Sequence, residues 1–237
     1  MTSFEHSANS AGPAPSFAHR RLGEIAVALP GATGVFRRFK LDFCCGGDET
    51  LAEAAKARAI ELAAVETALR ALDLAAPAGL PTEPAALIDH VLARYHAVHR
   101  REIPELAGLA RKVEAVHRHH DAVPAGLAEA LEALEEELGS HMAKEEQVLF
   151  PLMRRGGHPM IVHPIAQMRA EHDEHGERLR ELERLTHDLS LPADACTSWR
   201  ALYAGTRKLI DDLMEHIHLE NNLLFPHFAG APASRAD

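Results

Sequence analysis

An all-α protein, a four-helix bundle preceded by a small helical unit, is the fold class that three features of this sequence predict. Ala and Leu dominate the 237 residues, and aromatic residues make up only 5%. Over four long segments the apolar residues recur at spacings of three and four, the period of a helix that buries one face. Gly and Pro fall mostly between those segments, where they separate helices rather than interrupt them.

The elements follow in order. Residues 1–17 are rich in Ser, Ala, Pro and Gly and predict a disordered tail. Residues 18–74 predict a small helical domain: short helices over 22–29 and 32–39, a turn at Phe43-Cys44-Cys45-Gly46-Gly47-Asp48-Glu49-Thr50, and one longer helix over 51–72. Asp48 or Thr50 is available as its N-cap. The Ala, Pro and Gly of 75–83 predict a linker, and residues 84–237 predict the bundle.

The bundle's first segment, 84–116, carries Leu87, Ile88, Val91, Leu92, Tyr95, Leu106, Leu109 and Val113 on its apolar face, with Pro104 inside it as a kink. The second, 124–153, has its stripe at Leu127, Leu131, Leu134, Leu138, His141, Glu145, Val148 and Leu152. The third, 164–189, has Ile165, Met168, His172, His175, Leu179, Leu182 and Leu189. The fourth, 195–228, has Trp199, Leu202, Thr206, Leu209, Leu213, His216, Glu220 and Leu223. Short connections make neighbouring helices antiparallel.

Charge and cysteine usage exclude several partners. A formal net charge of -10 argues against nucleic acid and anionic membranes, which require a basic face. No apolar run is long enough to span a bilayer, and the N-terminus lacks a basic-then-apolar leader pattern. Three cysteines, two of them adjacent, do not form the framework of a secreted disulfide protein, so a cytoplasmic location is expected.

Imidazoles and carboxylates stand in the bundle stripes where Leu would be expected. His141 and Glu145, and His216 and Glu220, are each four residues apart, so each pair projects from one helical face. Burying such groups is costly unless they are partnered, and several converging at one depth are usually compensated by a metal. Counting from the loop centres near 120, 158 and 193 places His96, His141, His172 and His216 within about 5 Å of one level, at roughly 1.5 Å per residue. Four imidazoles and two carboxylates exceed what one tetrahedral zinc needs. They suit two non-haem iron ions, with manganese as the other candidate, bridged by Glu145 and Glu220 and with positions left for an oxo or hydroxo bridge and a small diatomic ligand.

Other residues are weighed against plainer roles. His99 and His175, three residues beyond His96 and His172, are candidate extra nitrogen ligands or packing residues. His117 lies some 30 Å from His96 along a continuous helix and reaches the site only if the chain folds back. Glu146, Glu171 and Asp89 are candidate hydrogen-bond acceptors for the ligands, or members of a solvated face. His187, His218 and His227 carry no such argument. Cys44 and Cys45 are candidate thiols for redox chemistry or for transfer of nitric oxide or iron, with plain packing as the alternative.

Taken together, these motifs resemble the iron–sulfur cluster repair di-iron family, of ScdA/YtfE type. The resemblance runs through Leu41-Asp42-Phe43-Cys44-Cys45-Gly46-Gly47, Ile88-Asp89-His90, Arg94-Tyr95-His96, the stretch from Ser140 to Pro151, Glu171-His172-Asp173-Glu174, the stretch from Leu209 to His216, and Leu219-Glu220-Asn221-Asn222. It implies a hemerythrin-like bundle behind a Cys-Cys-Gly-Gly domain, in a cytoplasmic protein that is often a homodimer. The implied activity is repair of iron–sulfur proteins damaged by nitrosative or oxidative stress, by iron donation or by nitric oxide binding and reduction. A dioxygen or nitric oxide sensor or carrier without repair activity is the alternative, and a ferroxidase a third. Hemerythrins proper carry a further His four residues after the first on the third helix, where this chain has Gly176; the resemblance therefore implies a more open iron.

Overall fold

The computed structural model describes residues 16–72 and 80–229. The tail expected over 1–17 and the linker over 75–83 lie mostly outside them. Among the described residues the regular elements are all helices, with one isolated bridge between Arg21 and Thr50. None of these helices is long and apolar enough to cross a membrane.

Four short helices build the N-terminal unit: α1 (Leu22–Ala28), α2 (Ala32–Arg38), α3 (Leu51–Ala57) and α4 (Leu62–Arg70). Thr50 caps α3 in a reciprocal arrangement. Its side chain accepts from the Glu53 N–H, and the Glu53 carboxylate accepts from the Thr50 N–H at 3.0 Å. The single helix expected over 51–72 is instead two. Ala59 adopts a left-handed φ of 53°, and the Ile60 N–H donates to the Ala55 carbonyl at 2.9 Å, the pattern that closes a helix C-terminus. Helical periodicity persists across such a stop, so the stripe alone did not reveal it.

The bundle comprises α5 (84–116), α6 (127–154), α7 (Val162–Leu185) and α8 (197–224), followed by the turn α9 (Pro226–Ala229). Helix α5 continues through Pro104. Helix α7 stops four residues earlier than expected, because His187, Asp188 and Leu189 all take positive φ. Around the bundle, α5 packs on α6 and α8, and α7 on α6 and α8.

Three π-helical turns interrupt the bundle helices: Leu92–His96 in α5, Glu145–Leu149 in α6 and Leu219–Leu224 in α8. Each widened turn advances the buried face by one residue. Val148 is therefore 53% exposed while Leu149 is buried. Met153 is buried in place of Leu152, and Leu224 in place of Leu223. These corrections to the stripes share one cause, and each begins within four residues of a histidine or glutamate of the polar layer.

That layer divides the apolar interior. One core cluster contains Leu131, Leu134, Leu138, Trp199 and Leu213 and continues into the N-terminal unit through Leu22, Phe36 and Phe43. The other contains Leu87, Val91, Phe150, Ile165 and Phe225. On every bundle helix the buried His and Glu residues lie where one cluster gives way to the other.

Candidate metal centre

Helices α5, α6, α7 and α8 bring His96, His141, His172, His216, Glu145 and Glu220 to one level, all essentially without solvent exposure. They form two overlapping groups. His96 and His216 with both glutamates make one; His141 and His172 with the same two glutamates make the other. Within each group the potential ligand atoms lie within 4.8 Å of one another. Glu145 Oε2 stands 3.4 Å from both His96 Nε2 and His141 Nε2. Glu220 reaches His216 Nε2 with Oε1 and His172 Nε2 with Oε2, each at 3.1 Å.

Electrostatics hold the carboxylates ionised despite their depth. Burial and mutual repulsion push Glu145 up, but the imidazoles of His141 and His96 outweigh them and leave its carboxyl below the usual range. Burial likewise opposes Glu220, and His216 and His172 hold it well below its ordinary value. Burial disfavours the His141 imidazolium, yet Glu145 raises that group to about 9. Both oxygens of Glu145 make no hydrogen bond, and Glu220 Oε2, although 3.1 Å from His172 Nε2, makes none of proper geometry. Orphaned, ionised carboxylate oxygens facing imidazole Nε2 atoms are unfavourable alone and well suited to a divalent cation. The donor set of nitrogen and oxygen, with no thiolate, fits non-haem iron.

The outer nitrogens are held by the rest of the bundle. His96 Nδ1 meets Glu146 Oε1 at 2.8 Å, and Arg100 donates to that same oxygen. His141 Nδ1 meets Glu171 Oε2 at 2.9 Å, and Lys144 and Gln167 donate to Glu171 Oε1. His172 Nδ1 meets Asn221 Oδ1 at 2.9 Å. Such partners fix the ring and turn Nε2 toward the layer. His216 Nδ1 has no partner; its ring stacks on Tyr95 at 5.5 Å between centroids.

Among the other candidates, Glu146 and Glu171 reach the layer, whereas Asp89 pairs with Arg154 at 2.5 Å and takes no part in it. His99 packs beside His216 and His175 beside His141. Neither belongs to the two ligand groups, and burial drives His99 down to about 2 and His175 to about 3, so both rings are neutral. His117 is remote: its Nε2 lies 3.2 Å from Cys196 Sγ and its ring packs on Trp199.

Residues 87–228 match the family model described as the hemerythrin HHE cation binding domain, and residues 18–73 match ScdA_N, a domain of unknown function. A probable iron–sulfur cluster repair protein from Haemophilus influenzae is 45% identical over 216 residues, covering 89% of this chain and 97% of its own. The iron–sulfur cluster repair protein YtfE of Cronobacter sakazakii is 47% identical over 218 residues, covering 89% and 96%. That of Escherichia coli O157:H7 is 44% identical over 212 residues, covering 86% and 94%. The chain belongs to the iron–sulfur cluster repair protein family.

In this repair-family chain the Cys-Cys-Gly-Gly turn faces the bundle. Cys45 Sγ donates to the His172 carbonyl at 3.3 Å, and Asn221 Nδ2 donates to the Cys44 carbonyl at 3.0 Å. Asn222 donates to the Phe43 carbonyl and to His218 Nδ1. A side chain at Gly47 would come within 2.9 Å of the Phe43 carbonyl and of Asn222, so the close docking requires glycine there. Gly176 faces Cys45 Sγ, 3.6 Å from where its Cβ would stand. The position at which hemerythrins proper carry a further histidine thus lies against the turn.

The two thiols are free and 3.8 Å apart. The neighbouring Cys45 thiol and burial push Cys44 well above the usual thiol range, so it is held neutral. Two residues here had been given no role from the sequence. Asn221 follows Glu220 directly, off the layer's face, and only the packing of α7 and the turn gives its amide two partners. His218 is buried against Phe43 and lowered to about 4 by burial and by Arg37.

Proposed function

We propose that this chain repairs iron–sulfur clusters damaged by nitrosative or oxidative stress, using a di-iron centre. His96 and His216 would hold one iron ion, His141 and His172 the other, and Glu145 and Glu220 would be shared between them. The sharing of both glutamates between the two ligand groups carries the proposal. The names of the relatives support repair as the task and damaged iron–sulfur proteins as the clients.

When bound, a ferrous pair supplies transferable iron and open coordination positions for a small ligand such as nitric oxide. The chain does the rest. Glu146, Glu171 and Asn221 hold three rings in the tautomer that presents Nε2. Phe150 and Phe225 stack on His96 and His172 and keep water from that side of the layer. Cys44 and Cys45, docked beside His172, serve as thiols for redox chemistry or for transfer of nitric oxide or iron. The setting is the cytoplasm, with a homodimer as the working assembly.

The test joins metal content to repair. Protein from iron-replete cells is expected to carry two irons per chain and to restore the activity of a nitric-oxide-damaged iron–sulfur dehydratase. A folded chain without metal, or a loaded one that restores nothing, overturns the proposal. Nitrous oxide released from the reduced protein on exposure to nitric oxide distinguishes turnover from binding alone.

A further inference from the structure

A cavity of about 550 Å³ opens between the N-terminal unit and helices α7 and α8, on the outer side of the Cys-Cys turn. Its size lies within the range of sites for small organic ligands. Leu41, Leu179, Ile210 and Met214 contribute apolar wall, and Cys44 also lines it.

The charge of the lining runs against that of the molecule. Arg37, Arg38, Lys40, Arg58, Arg180 and Arg207 face Asp42, Glu183 and Asp211, so six positive and three negative groups leave +3. The chain as a whole carries -10. Arg37 pairs with Glu215 and Asp211, Lys40 with Asp188 and Glu183, and Arg180 with Glu177 and Asp42. Arg38, Arg58 and Arg207 form no ion pair among the described residues. They arrive from three different places: α2, the break between α3 and α4, and α8. In a chain with ten more carboxylates than cations, three guanidinium groups without an ion pair thus line one concave surface, Arg38 with the Phe39 ring as its neighbour at 4.9 Å.

We propose that this cavity binds a small organic dicarboxylate. Guanidinium groups match carboxylates in a two-point fork, and several can grip both ends of such a ligand. The apolar wall gives a carbon skeleton a surface that a compact inorganic anion could not use. This site is separate from the metal layer and does not rest on the repair reading. Its position on Cys44 makes the bound ligand a shield for that thiol.

The test uses the full, iron-loaded chain and two probes: glutarate, and S-methylglutathione, a dicarboxylate peptide whose capped sulfur cannot exchange with a thiol. Calorimetry is expected to show saturable binding of at least one probe at moderate ionic strength. Arg58→Ala and Arg207→Ala should each weaken it roughly tenfold, with iron content unchanged. Because both side chains are exposed and unpaired, the variants should fold. In a Cys45→Ser, Cys196→Ser background the bound probe should also slow alkylation of Cys44, and Arg207→Ala should shift that protection to roughly tenfold higher probe concentration. Failure of both probes to saturate, affinity indifferent to both arginines, or inorganic phosphate binding as tightly as either probe would each overturn the proposal.

Discussion

The two halves of the polar layer share their glutamates but not their surroundings. Around His141 and His172, both outer nitrogens are held, by Glu171 and by Asn221, and the Cys-Cys turn lies directly behind. Around His96 and His216, only His96 has an outer partner, and His216 is held by stacking on Tyr95. Identical ligand types therefore sit in one half fixed by hydrogen bonds and linked to a second domain, and in another fixed partly by packing. Two metal ions placed there would not be equivalent, because the outer partners set ligand basicity and orientation.

The largest effect should come from removing what the halves share. Glu145→Ala or Glu220→Ala is expected to reduce iron from two per chain to less than one, measured by elemental analysis; retention of two irons would show that neither glutamate bridges. Glu171→Ala should weaken metal at the His141 half by about 10–100-fold, while the other half keeps its ion. Equal loss from both halves, followed by spectroscopic titration, would erase the distinction between them. Asn221→Ala should weaken the same half by at least about tenfold and also speed alkylation of Cys45, since it releases the turn.

A smaller effect concerns the junction behind the layer. The folded protein keeps His218 neutral down to about pH 4, whereas the unfolded chain takes up that proton near the ordinary value of 6.5. Falling pH therefore favours the unfolded state. His218 costs nothing above pH 6.5 and removes about 1.4 kcal/mol per pH unit between 6.5 and 4. Compared with the parent, His218→Asn should unfold with a pH slope smaller by one proton over that window, as read from denaturant midpoints. An unchanged slope would place the acid sensitivity elsewhere. The smallest effect is expected from Cys45→Ser, which should leave iron content unaltered while impairing repair; loss of iron would make the turn part of the centre.

Much of the architecture was legible because helical period and depth are properties of the chain. The spacing of His141 to Glu145 and of His216 to Glu220 set two faces, and loop-centred counting brought His96 and His172 to the same height. What periodicity could not show was a change in the period itself. The π turns moved burial from Val148 to Leu149 and from Leu223 to Leu224, and the break at Ala59 hid inside an unbroken stripe.

The sequence by itself determined the bundle helices, their apolar faces up to the π turns and the six groups that meet, because local period and loop length set which residues face inward and how far along until the period changes. Only the tertiary structure decided the partners of those groups. Asn221 is one residue off the layer, and Cys45 is 127 residues from the His172 carbonyl it contacts. No spacing rule links such residues. The docking of the N-terminal unit does, through hydrogen bonds that exist only once both surfaces are formed.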